Sequence, residues 1–313
     1  MSFTAEVRDE LARCQPECEY CDLACLAALT RVCGTLTYTG PGHYRLQVAT
    51  ETGAVARTMI ALTHKMLKLK ADLTVRKSVL HGTRNYLIVL PDQPGLEKAL
   101  VLLGVLDREG GLVAGIPQHI VARDCCVRAY VRGALIAGGF VADPKGDFHL
   151  EVAVQGEQFA DELAALIAQL GVRARVNPRR GSYAVYIKSA GDICRLLELL
   201  GAEQAVRDIC EARAVKSVKN EVNRQVNAEL ANQSRSASAA QQQLELIDRV
   251  EELGLLGELS PALEEFCRLR RANPELSLRD LGGLTDPPAS KSALYHRVLR
   301  LQKLVEQAEG GSG

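Results

Sequence analysis

Apolar positions along the first two thirds of the chain switch between helix and strand periods, and the same succession of switches occurs twice. Residues 4–13 suit a short amphipathic helix with Val7 and Leu11 on one face. Residues 22–33 read as a helix ending at Gly34, and residues 35–38 open a strand. Thr39-Gly40-Pro41-Gly42 makes a turn, after which residues 44–48 alternate as a half-buried strand does. A helix over about 52–69 follows, then strands around 73–77 and 86–90 joined by a turn at His81-Gly82, then a helix over 96–103.

The order then returns. Residues 124–137 form a helix that ends at Gly138-Gly139, followed by a strand at 140–142, a turn over 143–146 and a strand at 149–154. A helix over 157–170 leads to strands at 172–176 and 184–187 across Pro178-Arg179-Arg180-Gly181, and a helix over 190–200 closes the copy. Gly34 and Gly139 are 105 residues apart. Such an internal period predicts an α+β domain over 22–210 built from a pseudo-twofold pair of αββαββα units, at about 22–104 and 124–200. Gly133 and Ala137 lie four apart on the opening helix of the second unit, so they share one face on which a partner helix can approach closely. The Gly138-Gly139 pair is expected to let the chain leave that helix through backbone angles that other residues resist.

Past residue 200 the strand signals stop. A helix at 205–214 precedes an Asn/Gln-rich helical linker over 211–254. Asn220, Asn223 and Asn227 recur there at spacings of three and four, with Arg224 beside them. Asn is a poor helix former, so a stripe of it points to contacts, with DNA or with a polar interdomain surface. Ser260-Pro261 starts a helix to about 271, Asn273-Pro274 ends it, and Ser277 opens a short second helix ended by Gly282-Gly283. Ser290 caps a third helix to about 305, with Leu294, Val298, Leu301 and Val305 as its buried stripe. Three helices with a short turn before the last predict an all-α helix-turn-helix domain over 255–306, ahead of a flexible tail over 307–313.

Length and composition change this picture little. A chain of 313 residues suits about two domains, and with 47% hydrophobic but 4% aromatic residues the packing falls to Leu, Val, Ile and Ala. Lys+Arg and Asp+Glu balance at 38 each, so global charge points to no partner. Local charge does. Residues 268–303 hold eight Lys/Arg against three acids, which marks this domain as the side that meets double-stranded DNA. A recognition helix enters the major groove N-terminus first, placing Lys291, Ser292 and Tyr295 nearest base edges and Arg297 and Arg300 near phosphates. His296 and Arg279 complete the expected DNA-binding set. No apolar run approaches the ~18 residues of a membrane helix, the start lacks a signal peptide, and no small-molecule substrate site is evident. A cytoplasmic, nucleoid-associated protein is expected.

Ten cysteines in such a chain are thiols or metal ligands rather than disulfides. Cys14, Cys18, Cys21 and Cys25 fall within twelve residues at spacings x3, x2, x3. Small packing cysteines are the preferred reading. Four such thiolates could also bind zinc tetrahedrally or hold an iron–sulfur cluster.

The duplicated architecture, with a glycine-ended helix opening each copy, resembles the LAGLIDADG homing endonucleases. In that family two such helices pack along the pseudo-twofold axis and the sheets form a saddle over DNA. The nine-residue motif falls on residues 26–34 and 131–139, so the resemblance places the catalytic acid of each copy at Cys33 and Gly138. Metal-assisted phosphodiester cleavage needs carboxylates to hold divalent ions, and neither residue supplies one. No catalytic residue is therefore assigned, and no nuclease activity is expected. The run Asn223-Arg224-Gln225-Val226-Asn227, then Ala231-Asn232 and Ser290-Lys291-Ser292 with His296-Arg297, resembles the WhiA family of DNA-binding regulators in Gram-positive bacteria. Met1-Ser2-Phe3-Thr4 and residues 130–139 fit as well, so the resemblance covers nearly the whole chain. It implies a non-enzymatic role in sporulation or cell-division gene control, with most DNA binding in the helix-turn-helix. It also leaves the duplicated domain as a scaffold or a surface for a protein partner. The alternative is a chromosome-associated DNA-binding protein of cell division without promoter specificity. The four-cysteine run is not part of that pattern.

Overall fold

The structure is a computed structural model that describes residues 2–77 and 84–310, so the expected turn at His81-Gly82 lies outside the described residues. Two compact units divide the chain, residues 1–216 and 217–313.

The first unit opens with α1 (Phe3–Leu11), whose Val7 and Leu11 are buried as their spacing predicts. The first copy then runs α2 (Cys21–Cys33), β1 (Gly34–Gly40), β2 (His43–Thr50), α3 (Gly53–Leu62), β3 (Asp72–Lys77), β4 (Arg84–Leu90) and α4 (Leu96–Leu102). The second runs α5 (Asp124–Gly138), β5 (Gly139–Val141), β6 (Leu150–Val154), α6 (Glu157–Gln169), β7 (Arg175–Arg179), β8 (Ser182–Ile187) and α7 (Ala190–Leu200). Each copy forms a four-stranded antiparallel sheet with the same strand order, β1-β2-β4-β3 and β5-β6-β8-β7. Their registers correspond: Val48 faces Ile88 in one sheet, as Val152 faces Val185 in the other. One face of each central strand is apolar, so Tyr44, Leu46 and Val48, and likewise Leu150, Val152 and Val154, are buried beneath the helices. The α+β duplication is thus present in full.

Three boundaries differ from expectation. The helix expected over 52–69 leaves α-geometry after Leu62, widens into a π-helical turn over Thr63–Leu67, and stops where Lys68 takes a left-handed conformation (φ 55°). The strand expected at 172–176 starts later. Gly171 turns the chain at φ 74°, Val172 drops into the core, and β7 runs on through Pro178. Proline is tolerated there because β7 is an edge strand. Finally, the helix at 205–214 and the linker helix are one element, α8 (Glu203–Glu252), which contains neither Gly nor Pro to interrupt it.

The division between the units falls inside α8. In the second unit Ile247 and Val250 of α8 join the core of α9 (Pro261–Ala272), α10 (Leu278–Gly282) and α11 (Lys291–Gly310). Leu294, Val298, Leu301 and Val305 are all buried in it. The tail expected to be flexible from residue 307 is helical through Gly310. Leu304 and Ala308 pack against the core, and Glu309 accepts a bond from Arg249 at 2.7 Å.

Candidate nucleic-acid interface

The first unit is organised on the close pair α2 and α5. A Cβ on Gly133 would lie 2.5 Å from the Cys25 carbonyl oxygen and 3.0 Å from the Ala28 Cβ, so the absence of a side chain there sets how near the helices come. Gly34 and Gly139 end the two helices in the same way, with ordinary extended angles of (−83°, 143°) and (−73°, 144°). The expected reason for glycine is therefore corrected: no unusual backbone angle is involved. A Cβ at Gly34 would meet the Thr30 carbonyl at 2.3 Å, and one at Gly139 the Leu135 carbonyl at 2.4 Å. The sharp exit from each helix leaves no room for a side chain.

The two positions that the endonuclease motif gives to acids sit at these helix ends. Cys33 is half-buried, its thiol donates to the Leu29 carbonyl at 3.0 Å, and burial pushes it up to about 12, so it is a neutral thiol. Gly138 has no room for any side chain, since a Cβ would stand 2.6 Å from Val32 Cγ1 and 3.0 Å from the Ala153 carbonyl. Next to them lies a cation. Arg8 of α1 donates from Nε to the Gly139 carbonyl at 3.0 Å and from Nη1 to Thr52 Oγ1 at 2.9 Å. Burial lowers its pKa, and it interacts with Cys33. Thr4 anchors the same helix by exchanging bonds with the Val141 backbone, donating to its carbonyl at 2.7 Å and accepting from its N–H at 3.0 Å. A fixed guanidinium beside the carbonyl ends of a helix is electrostatically favourable. A divalent metal in the same space would be repelled.

In the second unit the segment between α10 and α11 is tightly determined. Ser277 and Ser290 cap their helices through bonds from the Asp280 N–H at 3.2 Å and the Ala293 N–H at 3.2 Å. The Ala289 N–H donates to the Gly282 carbonyl at 2.9 Å, and the Thr285 hydroxyl lies between the carbonyls of Gly282 and Pro287 at 2.9 and 3.0 Å. The eight basic residues expected on this unit divide into different roles. Arg270 is 1% exposed, bonding Gln243 Oε1 at 3.0 Å and the Asn273 and Leu276 carbonyls at 3.1 and 2.6 Å. Arg271 pairs with Glu251 and Asp248, and half-buried Arg297 pairs with Glu265 at 2.9 Å. Arg279, Lys291, Ser292, Tyr295, His296 and Arg300 all stand exposed, Tyr295 at 54%. The structure thus brings Lys291, Ser292 and Tyr295 to the exposed first turn and a half of α11, with Arg297 turned onto α9 instead.

Three family models match the chain: a WhiA N-terminal LAGLIDADG-like domain over residues 19–106, a WhiA LAGLIDADG-like domain over 127–219, and a WhiA C-terminal helix-turn-helix domain over 222–305. A protein of Symbiobacterium thermophilum named probable cell division protein WhiA is 39% identical over 310 residues, covering 99% of both chains. The chain belongs to the WhiA family. A second WhiA relative, from Heliobacterium modesticaldum, is 38% identical over 307 residues, covering 98% of this chain and 96% of its own. The crystal structure of full-length DUF199/WhiA from Thermatoga maritima shares the fold, at TM-score 0.59 and 23% identity, over 98% of this chain and 99% of that one.

On the WhiA helix-turn-helix unit, Lys291 and Arg279 line a groove of about 650 Å³ together with Arg235, Asn232 and Ser236 of α8. Sequence reasoning gives none of these three a place in the expected DNA-binding set, although Asn232 belongs to the run that carries the family resemblance. They lie over forty residues from α11, in a stretch whose Ser/Ala/Gln composition reads as linker. Asn220, Asn223, Arg224 and Asn227 are all exposed along α8, with Arg224 bonded to Glu221. Val218, Val222, Val226 and Leu230 form an exposed apolar stripe on the same helix, also missed.

The cysteines regroup. The candidate set Cys14, Cys18, Cys21 and Cys25 does not come together as a set. Cys14 bonds the Leu200 and Gly201 carbonyls at 3.5 Å, and Cys25 is buried on α2, where burial raises its pKa to about 12. Cys18 and Cys21 instead meet Cys125 and Cys126 from the first turn of α5, with all four sulfurs within 4.8 Å of one another, close enough to hold a metal ion. Burial would raise the Cys18 thiol, but the Tyr20 backbone and the Cys21, Cys125 and Cys126 thiols outweigh it and bring it down to about 6. Burial and the Cys18 sulfur push Cys21 up to about 11.

Proposed function

We propose that this chain is a sequence-specific DNA-binding regulator of sporulation or cell-division genes, acting from the cytoplasm on the nucleoid. Its helix-turn-helix unit reads DNA, and its first unit serves as an inert scaffold or a surface for a protein partner. The observation that carries this reading is the exposed start of α11, where Lys291, Ser292 and Tyr295 stand free of the core beside the groove of Arg279 and Arg235. An exposed helix start with mixed polar and basic residues suits base edges in the major groove, and the flanking cations suit phosphates. Arg300 and His296 extend that face, and Asn220, Asn223, Arg224 and Asn227 offer a further contact surface for DNA. The duplicated unit is proposed to lack nuclease activity, supported by Cys33, Gly138 and the guanidinium of Arg8 at the helix ends.

The test is competition binding of the full chain to genomic fragments against random duplex across a salt series. Specific recognition gives a ratio of about 10^3 or more over non-specific binding. If deletion of residues 255–313 leaves that ratio intact, the site is misplaced. Mg2+-dependent plasmid cleavage by the pure protein would overturn the inert reading of the first unit. A second reading, a chromosome-associated protein of cell division without promoter preference, draws on the relatives' being named probable cell division proteins, and a ratio near one supports it.

A further inference from the structure

We infer that Cys18, Cys21, Cys125 and Cys126 form a tetrahedral binding site for a single zinc ion, which ties together the starts of α2 and α5. The sulfur geometry is the first argument. Zinc–thiolate bonds of ~2.3 Å place the corners of a tetrahedron ~3.8 Å apart. Cys18 Sγ lies 3.4 Å from that of Cys21, 3.5 Å from that of Cys125 and 3.7 Å from that of Cys126, and no pair of the four exceeds 4.8 Å. A multinuclear iron–sulfur cluster spreads its cysteines around several metal atoms and needs a wider cage.

The second argument is how the chain delivers these sulfurs. Cys18 and Cys21 have the C-x2-C spacing of a zinc knuckle, closed by a bond from the Cys21 N–H to the Cys18 carbonyl at 3.1 Å. Cys21 and Cys126 are 105 residues apart, the same offset as Gly34 and Gly139, so they occupy equivalent places in the two copies. Cys21 opens α2, and Cys125 and Cys126 fall in the first turn of α5, so two helix N-termini face the sulfurs and favour their anionic form. Arg123 interacts electrostatically with Cys18 and adds a positive charge beside a site that would carry net negative charge with zinc bound. Binding replaces the thiol–thiol bonds that converge on Cys18 with four sulfur–zinc bonds, and each thiol that ligates releases its proton to solvent.

The experiment uses the full chain purified without oxygen or chelator. Elemental analysis is expected to give about one zinc per chain, released in one step by a mercurial and read with a colorimetric zinc indicator. Replacing zinc with Co2+ is expected to give the intense visible bands of a tetrahedral thiolate site. Cys18→Ser and Cys126→Ser should each lower the zinc content at least fivefold, whereas Cys14→Ser should leave it unchanged. The mercurial release and the cobalt spectrum need no variant, so a misfolded mutant does not block the test. Less than about one fifth of a zinc per chain overturns the proposal, as does the spectrum of an iron–sulfur cluster. Equal loss of zinc in Cys14→Ser and Cys18→Ser overturns the assignment of ligands.

Discussion

The Cβ that Gly138 lacks would lie 2.6 Å from Cγ1 of Val32 on the facing helix. The second acid position of the endonuclease motif is therefore closed by packing as well as missing its carboxylate. Gly138→Asp is expected to destabilise the first unit by about 1–3 kcal/mol through overpacking, and to yield no plasmid cleavage. Thermal unfolding and a nicking assay on the same sample check both. Gly133→Leu, at the closest approach of α2 and α5, is expected to prevent that unit from folding at all, read by loss of its circular dichroism signal.

Lys291 and Arg300 are exposed on α11, and neither is held by a carboxylate among the described residues. Arg300→Ala should weaken binding to all duplexes alike and reduce the salt slope by about one, whereas Lys291→Ala should also relax sequence preference. Ser292→Ala should act mainly on the ratio between target and random sequence. Affinity measured at four or more salt concentrations separates the two behaviours.

Arg270 differs from its basic neighbours because its guanidinium is enclosed and spends its donors on Gln243 and two backbone carbonyls. Arg270→Ala takes the guanidinium donors from Gln243 Oε1 and the Leu276 carbonyl, leaves the Asn273 carbonyl only the Leu276 N–H at 3.4 Å, and removes a packed side chain, for an expected loss of about 2–4 kcal/mol in the second unit. Any fall in DNA affinity should disappear once the fraction folded is accounted for, as equilibrium denaturation run beside the binding assay would show.

Glu265 accepts from the Asp286 N–H at 3.1 Å and from Arg297 at 2.9 Å, and these bonds, the backbone one first, hold its carboxyl below the ordinary value of 4.5. A carboxyl lowered in the folded state contributes stability above its unfolded pKa, and that contribution is lost as pH falls through the folded value. Hydrogen-exchange protection factors in peptides covering 261–298, corrected for the intrinsic pH dependence of amide exchange, should therefore fall on acidification below about pH 4.5, and Glu265→Gln should flatten that dependence. An unchanged profile in the variant would remove the ion pair from the list of what fixes α11 to α9.

Much of this fold is legible in the sequence. The duplication was readable because each sheet has one buried face, which forces the alternation seen at Leu46 and Val48 and again at Leu150 and Val152. The helix-turn-helix was readable from its punctuation, with serine caps at Ser277 and Ser290 and the glycine pair between them. Three features were not. Neighbours in sequence are not neighbours in space, so Cys21 was grouped with Cys14 and Cys25 rather than with Cys125 and Cys126, which only the pairing of α2 with α5 brings near. Charge type does not reveal pairing, so Arg297 and Arg300 looked equivalent until Glu265 was seen beside one of them. Finally, a steric demand on a glycine can be mistaken for a conformational one, as at Gly139.

The guanidinium of Arg8 has a consequence for descent. An ancestral cutting site could have decayed by loss of either acid and been repaired by a single reversion, so long as the space between the helix ends stayed open. Here a cation stands beside those helix ends, bonded to the carbonyl of Gly139 and to Thr52, on a helix stitched to the neighbouring strand through Thr4. A carboxylate regained at residue 33 would meet the fixed positive charge before it met a metal, and the one at residue 138 would have to displace Val32. A carboxylate at either position alone therefore meets a site shaped around its absence, and a paired-acid arrangement calls for changes at residue 33, residue 138 and Arg8 together.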